Sequence, residues 1–333
     1  MAVVGALIYG AGLLMARIAE GPAMLVLGLG VTIGLAMSCT GSTIAMSLAS
    51  RVVSPAARSF TMGAMSAAGS MGLLFASPLA QQMLARGGFE LALASFAAVT
   101  ALMLPMAWLA GRADRVPKDN ANLANQSIGE ALGEAGRHRG YLVMASAYFV
   151  CGLQLVFLTT HLPTYIAICG MPSSVAAATL VLIGVFNAIG SLTFGWLGGR
   201  YSRRYLLGGI YVLRSLIITV YFTSIPTPTT TMLFGALMGS LWLGVVPLVN
   251  GLVIQLFGIR YMATLVGVAF MSHQLGSFVG AFGGGLIYAS LGSYEWAWRG
   301  AVIVGLLAGI AQMRMNIVPS PRLKGTEPAP LRA

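Results

Sequence analysis

Ten long apolar runs dominate the sequence and limit what the chain can fold into. A helix needs about 20 apolar residues to cross a bilayer core about 30 Å thick, and most of the runs reach that length. Their apolar residues are consecutive and do not alternate with a period of two, so the runs predict helices and not the strands of a membrane barrel. The predicted spans are residues 2–16, 23–50, 57–84, 89–110, 141–168, 174–198, 205–222, 232–257, 262–290 and 296–317.

The charge content supports the same interpretation. Only 8% of the 333 residues are charged and 57% are hydrophobic, whereas soluble domains carry about 25% charged residues. So few charges cannot solvate the surface of a chain of this size, and much of that surface must therefore face lipid. We predict an all-α fold, namely a polytopic membrane protein with ten transmembrane helices.

One long polar segment, residues 111–140, interrupts the apolar runs after the fourth span. We interpret it as a linker between two helix bundles, with a short amphipathic helix around residues 127–136. Smaller breaks such as Gly87-Gly88 separate neighbouring spans. The predicted organisation is an N-terminal bundle (1–110), a cytoplasmic linker (111–140), a C-terminal six-helix bundle (141–318) and a cytoplasmic tail (319–333).

The positive charges predict how the chain is oriented. With Met1 on the cytoplasmic side, 15 of the 19 Lys and Arg residues lie in cytoplasmic loops or the tail, and three lie on the opposite side. This asymmetry obeys the positive-inside rule and predicts cytoplasmic N- and C-termini in a bacterial inner membrane. It also accounts for the net charge of +11 without nucleic acid as a partner, because these side chains face the anionic inner leaflet.

The loop between the sixth and seventh spans, residues 195–204, carries a recognisable motif. We call it the signature loop, because it resembles the G-x-L-a-D-R-x-G-R-R loop of the major facilitator superfamily. The matching residues are Gly195, Leu197, Gly198, Arg200, Arg203 and Arg204. Gly199 and Ser202 replace the aspartate and the second glycine of the family pattern, which puts in doubt the charge latch that this aspartate forms in the family.

The resemblance implies two six-helix halves joined by a cytoplasmic linker. Since only four spans precede residues 111–140, it also implies that the N-terminal bundle is incomplete, with two helices missing before Met1. Three further stretches resemble the monocarboxylate-porter and oxalate–formate branch of the family. They are the pattern of Gly63, Gly69, Gly72 and Pro78, residues 160–163, and residues 272–276.

Arg214 is an arginine in the middle of an apolar span, where such a charge costs about 2.5–3.5 kcal/mol on insertion scales. All eight acidic residues lie in loops, at span ends or in the tail, so no intramembrane carboxylate neutralises Arg214. Two interpretations stay open. Arg214 is a counter-charge for an anionic substrate, or it has a structural role and caps backbone carbonyls or pairs with an acid in the missing segment.

His273 and Gln274 lie in the middle of the span that corresponds to a cavity-lining helix of the family. A histidine there is a candidate proton carrier, because its ordinary pKa of about 6.5 lies near the working pH. The alternative is a hydrogen-bonded packing residue between helices. His161 lies near the outer end of its span, and we expect an interface or gate residue there.

Uncharged polar residues within the spans complete the set of candidates, because such groups turn toward the bundle interior. The substrate or coupling candidates are Arg214, His273, Gln274, Gln154, Asn187, Asn250 and Trp242. Glycines at small-xxx-small spacing, at 28, 30 and 34 and at 276, 280 and 284, predict close helix contacts. The three cysteines lack metal-ligand spacing, and we expect them to be small buried residues.

These features favour a secondary transporter that moves a small organic solute, with an organic anion such as a monocarboxylate as the expected substrate. No GxSxG, Walker or HExxH motif is present, and we expect neither enzyme activity nor a cofactor or metal. The expected partners are the solute, protons and membrane lipid, and we expect a monomer. An efflux porter for amphiphilic compounds and a non-functional transporter fragment are the alternatives.

Overall fold

The computed structural model describes residues 2–112 and 126–323, and every regular element in that part of the chain is helical. Thirteen residues of the predicted linker (113–125) and the end of the predicted tail (324–333) lie outside the described residues. The helices are α1 (Ala2–Arg17), α2 (Pro22–Leu25), a π-helical segment (Val26–Thr32), α3 (Ile33–Thr40), α4 (Ser42–Val52), α5 (Pro55–Ala101), α6 (Met103–Gly111), α7 (Ile128–Arg137), α8 (Arg139–Ile168), α9 (Ser173–Leu197), α10 (Arg203–Thr223), α11 (Pro228–Leu241), α12 (Val245–Phe257), α13 (Met262–Leu291) and α14 (Glu295–Arg314), followed by a 3₁₀ turn, Pro321–Leu323.

Eight helical stretches in the described residues are long and apolar enough to cross a membrane. They are Pro22–Val52, Gln82–Gly111, Arg139–Ile168, Ser173–Leu197, Arg203–Thr223, Pro228–Phe257, Met262–Leu291 and Glu295–Arg314. The predicted all-α polytopic membrane fold is therefore confirmed. The count of ten stays a prediction, because α1 is apolar but has only 16 residues, and the first part of α5, rich in Ala, Gly and Ser, is not among the eight.

The helix ends follow local sequence signals. Thr227 and Thr230 form a reciprocal cap ahead of α11, with Pro228 in the first turn, where its missing N–H leaves no intrahelical bond unmade. The predicted break at Gly87-Gly88 is confirmed: both residues leave helical geometry inside α5, and Gly88 has a φ of 66°. Only glycine adopts that conformation at little cost.

The chain divides into two compact units. The first consists of Met1–Ser54 and Gly72–Asp119, and the second of Pro55–Met71 and Asn120–Ala333. In the first unit α1 packs closely on the π-helical segment, since a Cβ on Gly28 would come within 2.9 Å of the Gly12 carbonyl oxygen. Gly34, also predicted to lie in a helix contact, faces open space instead. The predicted domain boundaries stay a prediction.

Three tightly packed helix pairs form the core of the second unit: α8 with α13, α9 with α11 and α10 with α14. The predicted close contact along 276, 280 and 284 is confirmed. Gly276 and Gly280 press against the backbone of α8 at Phe149 and Leu153, and Gly284 presses against the ring of Phe157. The spacing of small residues allows the two backbones to approach this closely.

The predicted amphipathic helix within residues 111–140 is confirmed as α7. Ser127 and Glu130 form a capping box at its start, and Arg322 pairs with Glu130 at 3.3 Å. The backbone N–H of Ser127, and after it the Arg322 guanidinium, lower the pKa of the Glu130 carboxyl. Ser320, which directly precedes the 3₁₀ turn, also donates a hydrogen bond to Glu134, so α7 and the segment 320–322 form one polar cluster outside the membrane spans.

Candidate functional site

The signature loop connects α9 to α10, and its arginines are held by neighbouring side chains. The Arg200 guanidinium lies over the Trp196 ring at 3.7 Å. Arg203 donates to the Gln255 side-chain oxygen at 3.1 Å, and Arg204 donates to the Tyr205 hydroxyl at 2.9 Å. These three arginines are therefore held by a cation–π contact, a side-chain amide oxygen and a tyrosine hydroxyl.

The start of α5 packs on this loop, which the sequence did not predict. A Cβ on Gly195 would lie 2.6 Å from the Cα of Gly63, so both positions need glycine for the two backbones to meet. Beside them, Ser66 donates to Ser191 at 3.3 Å in a buried contact. A Cβ on Gly198 would lie 2.9 Å from the Ser59 hydroxyl. Two glycines of the motif therefore have a packing role.

Arg214 on α10 is completely buried. One terminal nitrogen of its guanidinium donates to the carbonyl oxygens of Leu241 and Trp242, both at 2.6 Å. The other donates to the Cys151 sulfur at 3.2 Å. The charge is thus solvated by carbonyl dipoles and a thiol.

The carbonyl acceptors lie at a break in the span predicted for residues 232–257. That span consists of two helices, α11 and α12, separated by residues 242–244. Helix ends leave backbone groups without intrahelical partners, and in hydrocarbon such groups must be satisfied by protein. Arg214 supplies donors for the carbonyls, and the Asn187 side-chain oxygen accepts from the Leu243 N–H at 2.8 Å. Two of the predicted site residues therefore hold this break together.

This geometry is the one expected from the structural interpretation of Arg214. The guanidinium has no exposed surface, and direct contact between Arg214 and a solute stays a prediction. All three cysteines were expected to be small buried residues; Cys151 is buried at 1% exposure, whereas Cys39 and Cys169 are only half-buried. The bond of Cys151 to Arg214 was not predicted, because a thiol 63 positions away in sequence gives no local signal.

His273 on α13 packs against α8, the helix that carries Cys151. Its ring is half-buried, and the Nδ1 atom lies 3.4 Å from the Ser277 hydroxyl. Phe270 stacks on the ring at 5.0 Å between centroids, and Tyr148 meets it edge-on at 5.0 Å. The neighbouring Gln274 is exposed, and its oxygen lies 3.2 Å from the His273 Nδ1. Arg214 and Cys151 thus form a buried polar cluster at the break, and His273 and Gln274 form a second polar pair nearer the surface.

The remaining predicted residues make local helix contacts. Gln154 donates to the Ala301 carbonyl of α14 at 2.9 Å, and Asn250 donates to the Val246 carbonyl of its own helix at 2.8 Å. Trp242 contributes its carbonyl at the break, and its half-buried side chain packs on the core. His161 bridges the Ala281 carbonyl and the Tyr294 hydroxyl, as expected of an interface residue.

Within residues 2–112 and 126–323 no group of His, Cys, Asp and Glu has the composition of a metal site.

Most of the chain matches a known protein family. A family model described as Major Facilitator Superfamily matches residues 1–281. No curated protein sequence matches the chain.

Solved structures share the fold. A structure of the E. coli fucose:proton symporter FucP is 16% identical, with a TM-score of 0.72 over 93% of this chain and 82% of that one. A structure of the proton:xylose symporter XylE bound to 6-bromo-6-deoxy-D-glucose is 13% identical, with a TM-score of 0.68 over 93% of this chain and 77% of that one. At these identities the similarity concerns the fold.

Proposed function

The chain belongs to the Major Facilitator Superfamily, a family of membrane transporters, and from that premise we propose that it transports a small organic anion, of which a monocarboxylate is the expected example. Transport is secondary, driven by an ion or solute gradient and carried out by alternating access. The monocarboxylate-porter branch and the two missing N-terminal helices stay predictions from the sequence.

The buried charge of Arg214 is the observation that favours an anion. Its partners in the described residues are two carbonyls and a thiol, and none is a carboxylate. A full charge in a low-dielectric interior acts over a longer distance than in water. Arg214 therefore gives the second unit a fixed positive potential, which favours anionic solutes and opposes cationic ones.

His273 is the group that we assign to proton coupling. It is half-buried and packs on the buried Tyr148 ring, while its Nδ1 atom lies 3.2 Å from the oxygen of the exposed Gln274. Imidazole changes charge in the physiological pH range. The names of the structural neighbours describe proton symporters, which supports protons as the coupling ion here.

The substitution His273→Gln tests this role in proteoliposomes with an imposed pH gradient. We expect the variant to exchange labelled monocarboxylate across the membrane but to lose its pH-driven accumulation, because glutamine keeps a polar side chain without a titrating proton. Met271→Leu is the matched control, since Met271 is 65% exposed on the same helix. Accumulation by His273→Gln at the level of the parent would remove His273 from the coupling step.

Uptake assays with a panel of carboxylates, sugars and lipophilic cations distinguish the anion transporter from an efflux porter and from an inactive fragment. Uptake of a lipophilic cation, with no uptake of carboxylates, would favour an efflux porter for amphiphiles. If the folded protein exchanged neither carboxylates nor sugars nor cations, the result would favour a transporter fragment without activity.

A further inference from the structure

A pocket of about 450 Å³ lies between α10, α14 and the end of α8. Aromatic rings of Tyr165, Phe222 and Trp298 form its walls, and Glu295 and Arg299 lie at its rim. Ligand pockets typically have 300–1,000 Å³ and combine apolar walls with a few polar groups. This pocket has the size and the composition of a ligand site.

All lining residues belong to the second unit. The pocket lies near Thr223, at the end of α10 opposite the signature loop that precedes Arg203. Solute sites of secondary transporters lie near the bilayer midplane between structural repeats. A pocket at the end of helices within one unit is therefore separate from the solute pathway.

The aromatic residues around the pocket indicate its depth in the membrane. Tyr288, Tyr294, Trp296 and Trp298 cluster around the start of α14. Tyr and Trp are enriched at membrane–water interfaces, where headgroups lie. The rim of the pocket is thus at headgroup level.

The rim presents two opposite charges at a fixed spacing. Glu295 and Arg299 form an i,i+4 ion pair on α14, and both side chains are more than half exposed. A ligand that carries one positive and one negative group can satisfy both residues. An anionic ligand would satisfy only Arg299 and would be repelled by Glu295.

A buried donor points to the same ligand. Trp298 is 3% exposed and stacks on Phe222 with 3.5 Å between ring centroids. Its indole N–H has no hydrogen-bond partner among the described residues. A buried N–H without an acceptor is costly, and the indole lines this pocket, so an oxygen of a bound molecule would satisfy it.

Exposed apolar stripes continue from the rim along both helices. On α14 Arg299 is followed at helical spacing by the exposed Ile303, Leu307 and Ile310. On α10 Thr223 is preceded at the same spacing by the exposed Val220, Leu216 and Leu213. A headgroup site above two apolar stripes fits an amphiphile with acyl chains.

We propose that this pocket binds a zwitterionic phospholipid with a primary ammonium, such as phosphatidylethanolamine, in the leaflet opposite the signature loop. Glu295 accepts from the ammonium, Arg299 donates to the phosphate, and the Trp298 N–H donates to a phosphate or ester oxygen. The acyl chains lie along the stripes that begin at Ile303 and Val220.

The test is native mass spectrometry of the purified full chain in detergent with equal amounts of phosphatidylethanolamine and phosphatidylglycerol. The parent should retain phosphatidylethanolamine in excess. In Glu295→Gln the ratio of the two bound lipids should fall about fivefold, as expected for loss of one exposed ionic contact. In Arg299→Gln retention of both lipids should fall by a similar factor with their ratio unchanged, because both lipids use the phosphate contact.

Trp298→Phe keeps the ring and removes only the N–H, and we expect it to weaken retention of phosphatidylethanolamine. Trp296→Phe is the control, since Trp296 is 61% exposed and does not line the pocket. An unchanged lipid ratio in Glu295→Gln, equal retention by the two tryptophan variants, or a preference of the parent for phosphatidylglycerol would overturn the proposal. The assay requires no transport, so its outcome is independent of the proposed function.

Discussion

At the scale of single residues, Arg214 holds a full positive charge where neither water nor lipid headgroups reach it. The sequence showed that Arg214 lies within an apolar span and that no intramembrane carboxylate is available to it. The sequence did not show its hydrogen-bond partners, because the carbonyls of Leu241 and Trp242 become acceptors only through a break inside an apolar run. The Cys151 contact likewise depends on how α8 packs, which no local pattern encodes.

Arg214→Ala should destabilise the protein, because it leaves two carbonyls at the break without donors. An unsatisfied buried polar group costs about 1–3 kcal/mol, so we expect a loss of about 2–5 kcal/mol. Arg214→Lys should recover part of the loss, since an ammonium can donate to the same oxygens. Thermal unfolding in detergent measures both. Equal melting temperatures for Arg214→Ala and the exposed-site control Arg200→Ala would contradict the capping role.

The Glu130 cap predicts a pH dependence at the end of α7. A carboxyl whose pKa is lower in the folded state than its ordinary value of 4.5 stabilises the fold fully above that value. The contribution is lost as pH falls through the lowered folded pKa. The parent should therefore exceed Glu130→Gln in melting temperature at pH 7, and the difference should vanish in acid below pH 4.5.

Arg322→Gln separates the two causes of this shift. It leaves the largest single contribution, the Ser127 backbone N–H, in place, so it should retain part of the acid dependence. The parent and Glu130→Gln should differ less in melting temperature as the pH falls. If the difference instead stayed constant from neutral pH into acid, the cap would not depend on ionised Glu130.

At the scale of elements, local signals predicted most helix ends and some helix contacts. The break at Gly87-Gly88, the amphipathic α7 and the small-residue face of α13 are all present. The break at residues 242–244 was missed, because Trp242-Leu243-Gly244 is apolar and continues the run. It is stabilised by tertiary donors and acceptors, and those cannot be read from its own sequence.

Two glycines on α13 give a matched test of the α8–α13 contact. A Cβ on Gly280 would meet the Leu153 backbone, whereas one on Gly283 has only Val279 of its own helix nearby, at 3.9 Å. Gly280→Ala should therefore lose about 1–3 kcal/mol through overpacking. Gly283→Ala should be neutral or slightly stabilising, because alanine has the higher helix propensity. Similar melting temperatures for the two variants would contradict the packing.

At the scale of the whole molecule, the apolar runs and the signature loop were sufficient to predict a helical membrane protein of this superfamily. The place of Pro55–Met71 within the second unit was not predictable, since Gly63 and Gly195 meet in the structure but are far apart in sequence. The span count, the cytoplasmic termini and the solute stay predictions. They depend on the membrane and on the substrate, which local residue patterns specify only indirectly.

The proposed activity of the whole molecule is the transport of an organic anion down or against a gradient. Counterflow in proteoliposomes tests it most directly: vesicles loaded with unlabelled monocarboxylate are diluted into a trace of the labelled solute without ATP. We expect transient accumulation of label by the parent protein, and none with a labelled hexose or a lipophilic cation. Accumulation of the hexose or the cation, with no accumulation of the monocarboxylate, would contradict the account.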